Sequence, residues 1–115
     1  DTYTAALADV LLEGAQALAE GFHVLRRDPH AAQEHAQAVR KAERRAEKVY
    51  REAVADVYST DHQLEAAHAA GSVDEAFALL FGALRRREVY RHLSNAADHL
   101  ATAGDVLYDI AVGVA

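Results

Sequence analysis

From Val89 to Ile110 the apolar side chains step by four and then three, through Val89, Leu93, Ala96, Leu100, Ala103, Leu107 and Ile110. A 4,3 repeat lays a stripe along one side of an α-helix, suited to near-antiparallel packing in a bundle. The preceding segment steps the same way through Ala32, Ala36, Val39, Glu43, Ala46, Tyr50, Ala53 and Val57. Small alanines at alternate positions allow helices to approach closely. Glu43 stands where a bundle wants an apolar side chain, so here the sequence breaks its own pattern.

Punctuation divides the chain into three long helices. The only proline, Pro29, follows Asp28, and the pair reads as an N-cap and first helical position. A first helix is expected from about Thr4 to Leu25, with Tyr3, Leu7, Val10, Leu11, Leu18, Phe22 and Leu25 on one side. A second runs from about Pro29 to Tyr58. The third starts at Ser72, with Glu75 completing a capping box, and continues to about Val112. Its length would be about 60 Å at 1.5 Å per residue, and a kink is expected near Gly82. Between helices two and three, Ser59, Thr60 and Asp61 cap a short extra helix to Ala70 that Gly71 ends. No repeat or linker interrupts the pattern. The expectation is one all-α domain over residues 1–115, an antiparallel three-helix bundle with that short helix inserted.

Composition removes several classes of function. A formal charge of −6 argues against binding nucleic acid by phosphate neutralisation. Without cysteine there is no disulfide, Cys-ligated zinc, iron–sulfur cluster or thiol chemistry. No apolar run approaches the roughly 20 residues of a membrane span. The chain starts at Asp1 rather than Met, so a leader or larger N-terminal region is expected upstream.

Two constellations carry candidate chemistry. Glu43 and Glu47 lie one helical turn apart on one face, the arrangement that a hard cation or a carboxylate-bridged cluster needs. The same pair also reads as a solvated or salt-bridged one, with Arg40, Lys48 and Arg51 nearby. A second row, Glu88, His92, Asn95 and His99, forms a polar stripe beside the apolar seam. It reads either as part of a metal site shared with another helix or as boundary residues hydrogen-bonding between helices. Arg85, Arg86 and Arg87 form a basic run whose members point in different directions around a helix. No Gly-rich phosphate loop, nucleophile elbow or metalloprotease motif occurs, which disfavours an enzyme.

The stretch Arg87-Glu88-Val89-Tyr90-Arg91-His92-Leu93, then Ala96-Ala97-Asp98 and Asp105-Val106-Leu107-Tyr108-Asp109-Ile110-Ala111-Val112, resembles the last helix of PhoU-like proteins, in the branch of phosphate transport regulators. Ala42-Glu43-Arg44-Arg45-Ala46-Glu47, followed by Val49-Tyr50-Arg51, resembles the family's preceding helix. The resemblance spans most of residues 4 to 112 and implies a three-helix PhoU-type domain, one half of the usual two-domain protein. It implies a cytoplasmic, non-enzymatic regulator or accessory of phosphate uptake, in contact with a phosphate transporter or sensor kinase. Metal ligands carried over by position are Glu43, Glu47 and Asp98, for iron, zinc or manganese. The family's Asp is Glu47 here, and the acid usual four residues before Asp98 is Ser94.

Two other readings stand beside this one. One is a carboxylate/histidine metal-binding bundle using Glu43, Glu47, Glu88, His92 and His99. The other is a purely structural helical oligomer. Long helices need partners on two sides, so self-association is expected, most simply as a two-fold dimer with six helices.

Overall fold

The computed structural model describes residues 1–115, with side chains described for 1–59 and 65–115. Four helices follow one another: α1 (Thr2–Val24), α2 (Pro29–Val57), α3 (Thr60–Ala69) and α4 (Val73–Val114). Each long helix starts on a local side-chain cap. Asp1 accepts from the Thr4 amide at 2.8 Å, Asp28 from Ala31 at 3.0 Å, and the Ser72 hydroxyl from Glu75 at 3.1 Å. The return arm of the expected capping box reaches one residue further back, because the Glu75 carboxylate accepts from the Gly71 amide. Gly71 does not take the left-handed conformation expected of a helix-ending glycine. Ser59 makes no side-chain cap on α3, and the expected caps at Thr60 and Asp61 lie outside the described side chains.

α1, α2 and α4 form the bundle. Gly14 faces Ala42 and Leu100, and Gly21 faces His35 and Leu107, so α1 runs antiparallel to α2 and parallel to α4. Gly104 faces Val39 and Ala36, which sets α4 antiparallel to α2. The three-helix expectation therefore holds, with α3 as the inserted short helix. The buried core is mostly alanine, and its largest fully buried side chains are Tyr90, Leu7, Leu107 and Val39.

The seams are displaced from those the apolar residues suggest. On α4 the buried positions are Tyr90, Ala97, Gly104, Leu107 and Ala111, with Leu93 and Leu100 half-buried between them. Val89 and Ile110, expected in the seam, are exposed. The three leucines belong to both readings, and Gly104 moves the other side of the stripe by one residue. On α2, Ala42 is buried and Glu43 sits half-buried beside it. The apparent break at Glu43 is thus resolved by its neighbour. On α1 the buried positions are Leu7, Gly14 and Gly21, seven residues apart, whereas Phe22 is exposed.

Those glycines set how close the helices lie. A Cβ on Gly104 would stand 3.0 Å from Val39 Cγ1 and 3.1 Å from Val39 Cβ, against a β-branched side chain with little rotamer freedom. On Gly21 it would meet Leu107 Cδ2 and stand 3.1 Å from His35 Cβ. Gly82 has no atom within 4 Å of that position. α4 runs unbroken through it, and the molecule's long extent of 64 Å matches a straight 42-residue helix. The kink expected there is absent. No neighbour pushes on this turn, and one glycine removes no backbone hydrogen bond.

By the register of the bundle, α1 begins level with Glu88 and α2 ends level with Arg86. The first 13 residues of α4, about 20 Å of helix, project past both as an arm. Along it, Ala83 still packs against the end of the core, and Ala66, Ala69 and Ala70 of α3 border an open cleft with Ala78 and Leu79.

Two glycine substitutions separate packing from propensity. Gly82→Ala should stabilise the protein by about 0.5–1 kcal/mol, since it removes only the entropic cost of glycine in a helix. Gly104→Leu should destabilise it by about 1–3 kcal/mol through overpacking against Val39. Urea denaturation of both variants checks the pair.

Candidate functional site

The carboxylates singled out in the sequence come to lie in three different settings. Glu43 borders a closed seam formed by Val10, Gly14, Val39, Ala97 and Leu100, with its side chain half-buried. Glu47, one turn on, is exposed and pairs with Arg51 at 3.3 Å, as salt-bridged pairs on helix surfaces commonly do. Asp98 follows Ala97 in the layer of Glu43, yet its side chain is exposed on the outer flank of α4. Among the described residues no three His, Asp or Glu side chains gather as a metal ion would need. With one carboxylate against an apolar seam, one engaged by arginine and one turned outward, Glu43, Glu47 and Asp98 do not fit a shared ion as they stand.

The second row is a surface feature. Glu88, His92, Asn95 and His99 are all exposed along the outer side of α4. Glu88 accepts from Arg91 at 2.7 Å and lies 4.0 Å from His92 Nε2. The hydrogen bond from Arg91, followed by its charge, holds the Glu88 carboxyl below its ordinary range. This row is therefore an intrahelical ion pair facing water rather than a set of bonds between helices.

Contacts between helices come instead from Arg40 with Asp105 and from Arg45 with Glu13, both ion pairs about half exposed. Pairs so open to water contribute little to stability, and their use is in alignment. Arg40 and Asp105 also border a groove of about 380 Å³ between α2 and α4, lined further by Lys41, Arg44 and Tyr108. The groove offers cations and a phenol, but no paired nucleophile and base.

At the other end of the bundle, Asp1, Tyr3 and Tyr90 close the core where the arm leaves it. The Tyr90 hydroxyl donates to Asp1 Oδ2 at 2.7 Å, while Asp1 Oδ1 caps α1. The Tyr3 and Tyr90 rings meet edge to face, 6.0 Å apart at 78°. Burial pushes the Tyr90 hydroxyl above its ordinary pKa. Beyond this closure, Arg87 stacks over the Tyr58 ring at 5.7 Å.

The arm is the feature that sequence reasoning missed. Val73, Phe77, Leu80, Phe81 and Leu84 are between 44% and 70% exposed and lie along one side of it, away from α3. Phe77 and Phe81 stack on one another at 6.3 Å. The signal was present in the sequence, since Val73, Phe77, Leu80 and Leu84 step by four, three and four. The next two positions on that stripe are Arg87 and Arg91, so the apolar surface ends as the bundle begins.

Tyr90→Phe should cost about 0.5–1.5 kcal/mol by removing the bond to Asp1. It should also flatten the alkaline limb of stability. Above about pH 10 an unfolded tyrosine gives up its proton while folded Tyr90 retains it, so native stability falls as pH rises. Thermal melts of both proteins from pH 8 to 11 should show the steeper decline in the unsubstituted chain. No protein-family model, curated protein or solved structure matches this chain.

Proposed function

We propose that this chain is a non-enzymatic helical interaction module of PhoU-like type, acting through protein–protein contact as an accessory of phosphate transport in the cytoplasm. The observation that carries the contact reading is the apolar stripe on the arm. Five large apolar side chains stay open to solvent along one side of a helix that projects past its own bundle. Holding such a stripe in water is costly unless a partner covers it, at roughly 25 cal/mol for each Å² of apolar surface. The phosphate side of the proposal rests on the resemblance of the α2 and α4 motifs, with a transporter or sensor kinase as the complex served. Among the described residues no helix is long and apolar enough to cross a membrane, so contact with a transporter would be made from outside the bilayer.

The Glu43 and Glu47 motif and the arm make different demands on this function, and substitution separates them. Phosphate uptake should be measured in cells whose own copy is replaced by Phe77→Asp or by the Glu43→Gln, Glu47→Gln double variant. If contact through the arm is the working principle, Phe77→Asp abolishes the regulatory effect and the double variant retains it. Loss in the double variant alone would return the function to the carboxylates. Uptake indifferent to deletion of the whole chain would remove the phosphate role.

A further inference from the structure

We propose that the partner covering the arm is a second copy of this chain, its arm laid antiparallel against the first. The inference rests on the contact reading above and names the occupant of that surface.

The stripe is its own complement when reversed. In an antiparallel pair of arms, Val73 falls opposite Leu84 and Phe77 opposite Leu80, and both pairs centre on the same point between Ala78 and Leu79. A two-fold axis through that point therefore brings all four apolar layers together at once, as a self-complementary interface requires. Charge selects the same direction. The arm is acidic at its start, with Asp74 and Glu75, and basic at its end, with Arg85, Arg86 and Arg87. Reversal sets each acidic end beside the other copy's basic end, whereas a parallel pair would align like with like. Asp74 and Arg85 also lie on the same flank of the stripe, the flank that two antiparallel helices share.

The bundle leaves room for this pairing. The paired stretch runs from Val73 to Leu84, while α2 and α1 reach only to the levels of Arg86 and Glu88. α3 borders an open cleft on the Ala78 and Leu79 side, and the stripe on the other side is exposed. The two bundles then lie at opposite ends of a joined pair of arms. Four layers over about 18 Å of helix make a small interface, so the dimer should be weak, with a Kd of about 1–100 µM.

Sedimentation equilibrium of the full chain across this range tests the proposal. A monomer–dimer equilibrium is expected, with Kd raised at least about tenfold by Phe77→Asp and by Arg85→Asp, and restored toward the original by Asp74→Arg with Arg85→Asp. Circular dichroism of each variant should keep the helical signal, because these residues stand outside the bundle core. The direction of pairing is read by oxidation, since the chain has no cysteine of its own. Val73→Cys mixed with Leu84→Cys should form a mixed disulfide dimer, and neither variant alone should do so.

A strict monomer to about 1 mM would overturn the proposal. So would a dimer indifferent to Phe77→Asp, or disulfides formed by either cysteine variant alone. Phosphate uptake that changes with Phe77→Asp in a chain shown to be monomeric would leave the contact function standing with a different partner, and this inference would fall.

Discussion

The close approach of α4 to its two neighbours is the constraint from which the rest of the architecture follows. At Gly104 against Val39 and at Gly21 against Leu107, even one added carbon would require the neighbouring side chain to shift. With helices this near, alanine is large enough to fill most of the space between them, and the core needs few bulky side chains. Packing at native density is thereby reached with a modest amount of buried apolar surface. Tyr90 is the largest of the few, and it stands where α1 begins and the core must be closed.

The same constraint divides α4 into two working lengths. From Tyr90 onward the buried Ala97, Gly104 and Ala111 are small and Leu107 fills the space between them, with the helix held on two sides by α1 and α2. Before Arg86 its large apolar residues face water, with α3 bordering it and Ala83 touching the end of the core. One continuous helix thus carries both the scaffold and the surface it presents. Because no bend interrupts it at Gly82, the arm is as well oriented as the bundle that supports it.

How much of this was legible follows from what each signal depends on. The starts of α2 and α4 were plain, because Asp28 with Pro29 and Ser72 with Glu75 act over three residues and need no tertiary context. The seams were read one residue off on α4 because the count followed apolar side chains. Gly104, which sets the register there, has no side chain to be counted. The candidate carboxylates were visible as a pattern, but the pattern holds no information on which neighbour they meet. Glu47 meets Arg51, and Ala42 rather than Glu43 fills the seam. The arm's 4,3,4 stripe went uncounted because the seam was read only from Val89 to Ile110, and the stripe lies in a different phase.

Among the described residues the Tyr90 phenol is the one polar group in an otherwise apolar core, and this has a consequence for uniqueness. On α1, Gly14 and Gly21 repeat after seven residues, so sliding that helix by two turns would set one glycine where the other had been. Leu7 continues the same spacing and opposes such a slip, which would drive it into the space of Gly14 or leave its own space empty. Arg45 with Glu13 and Arg40 with Asp105, pairs of little worth as sources of stability, act here as index marks. Each ties a different pair of helices, and a displaced rod would lose its mark.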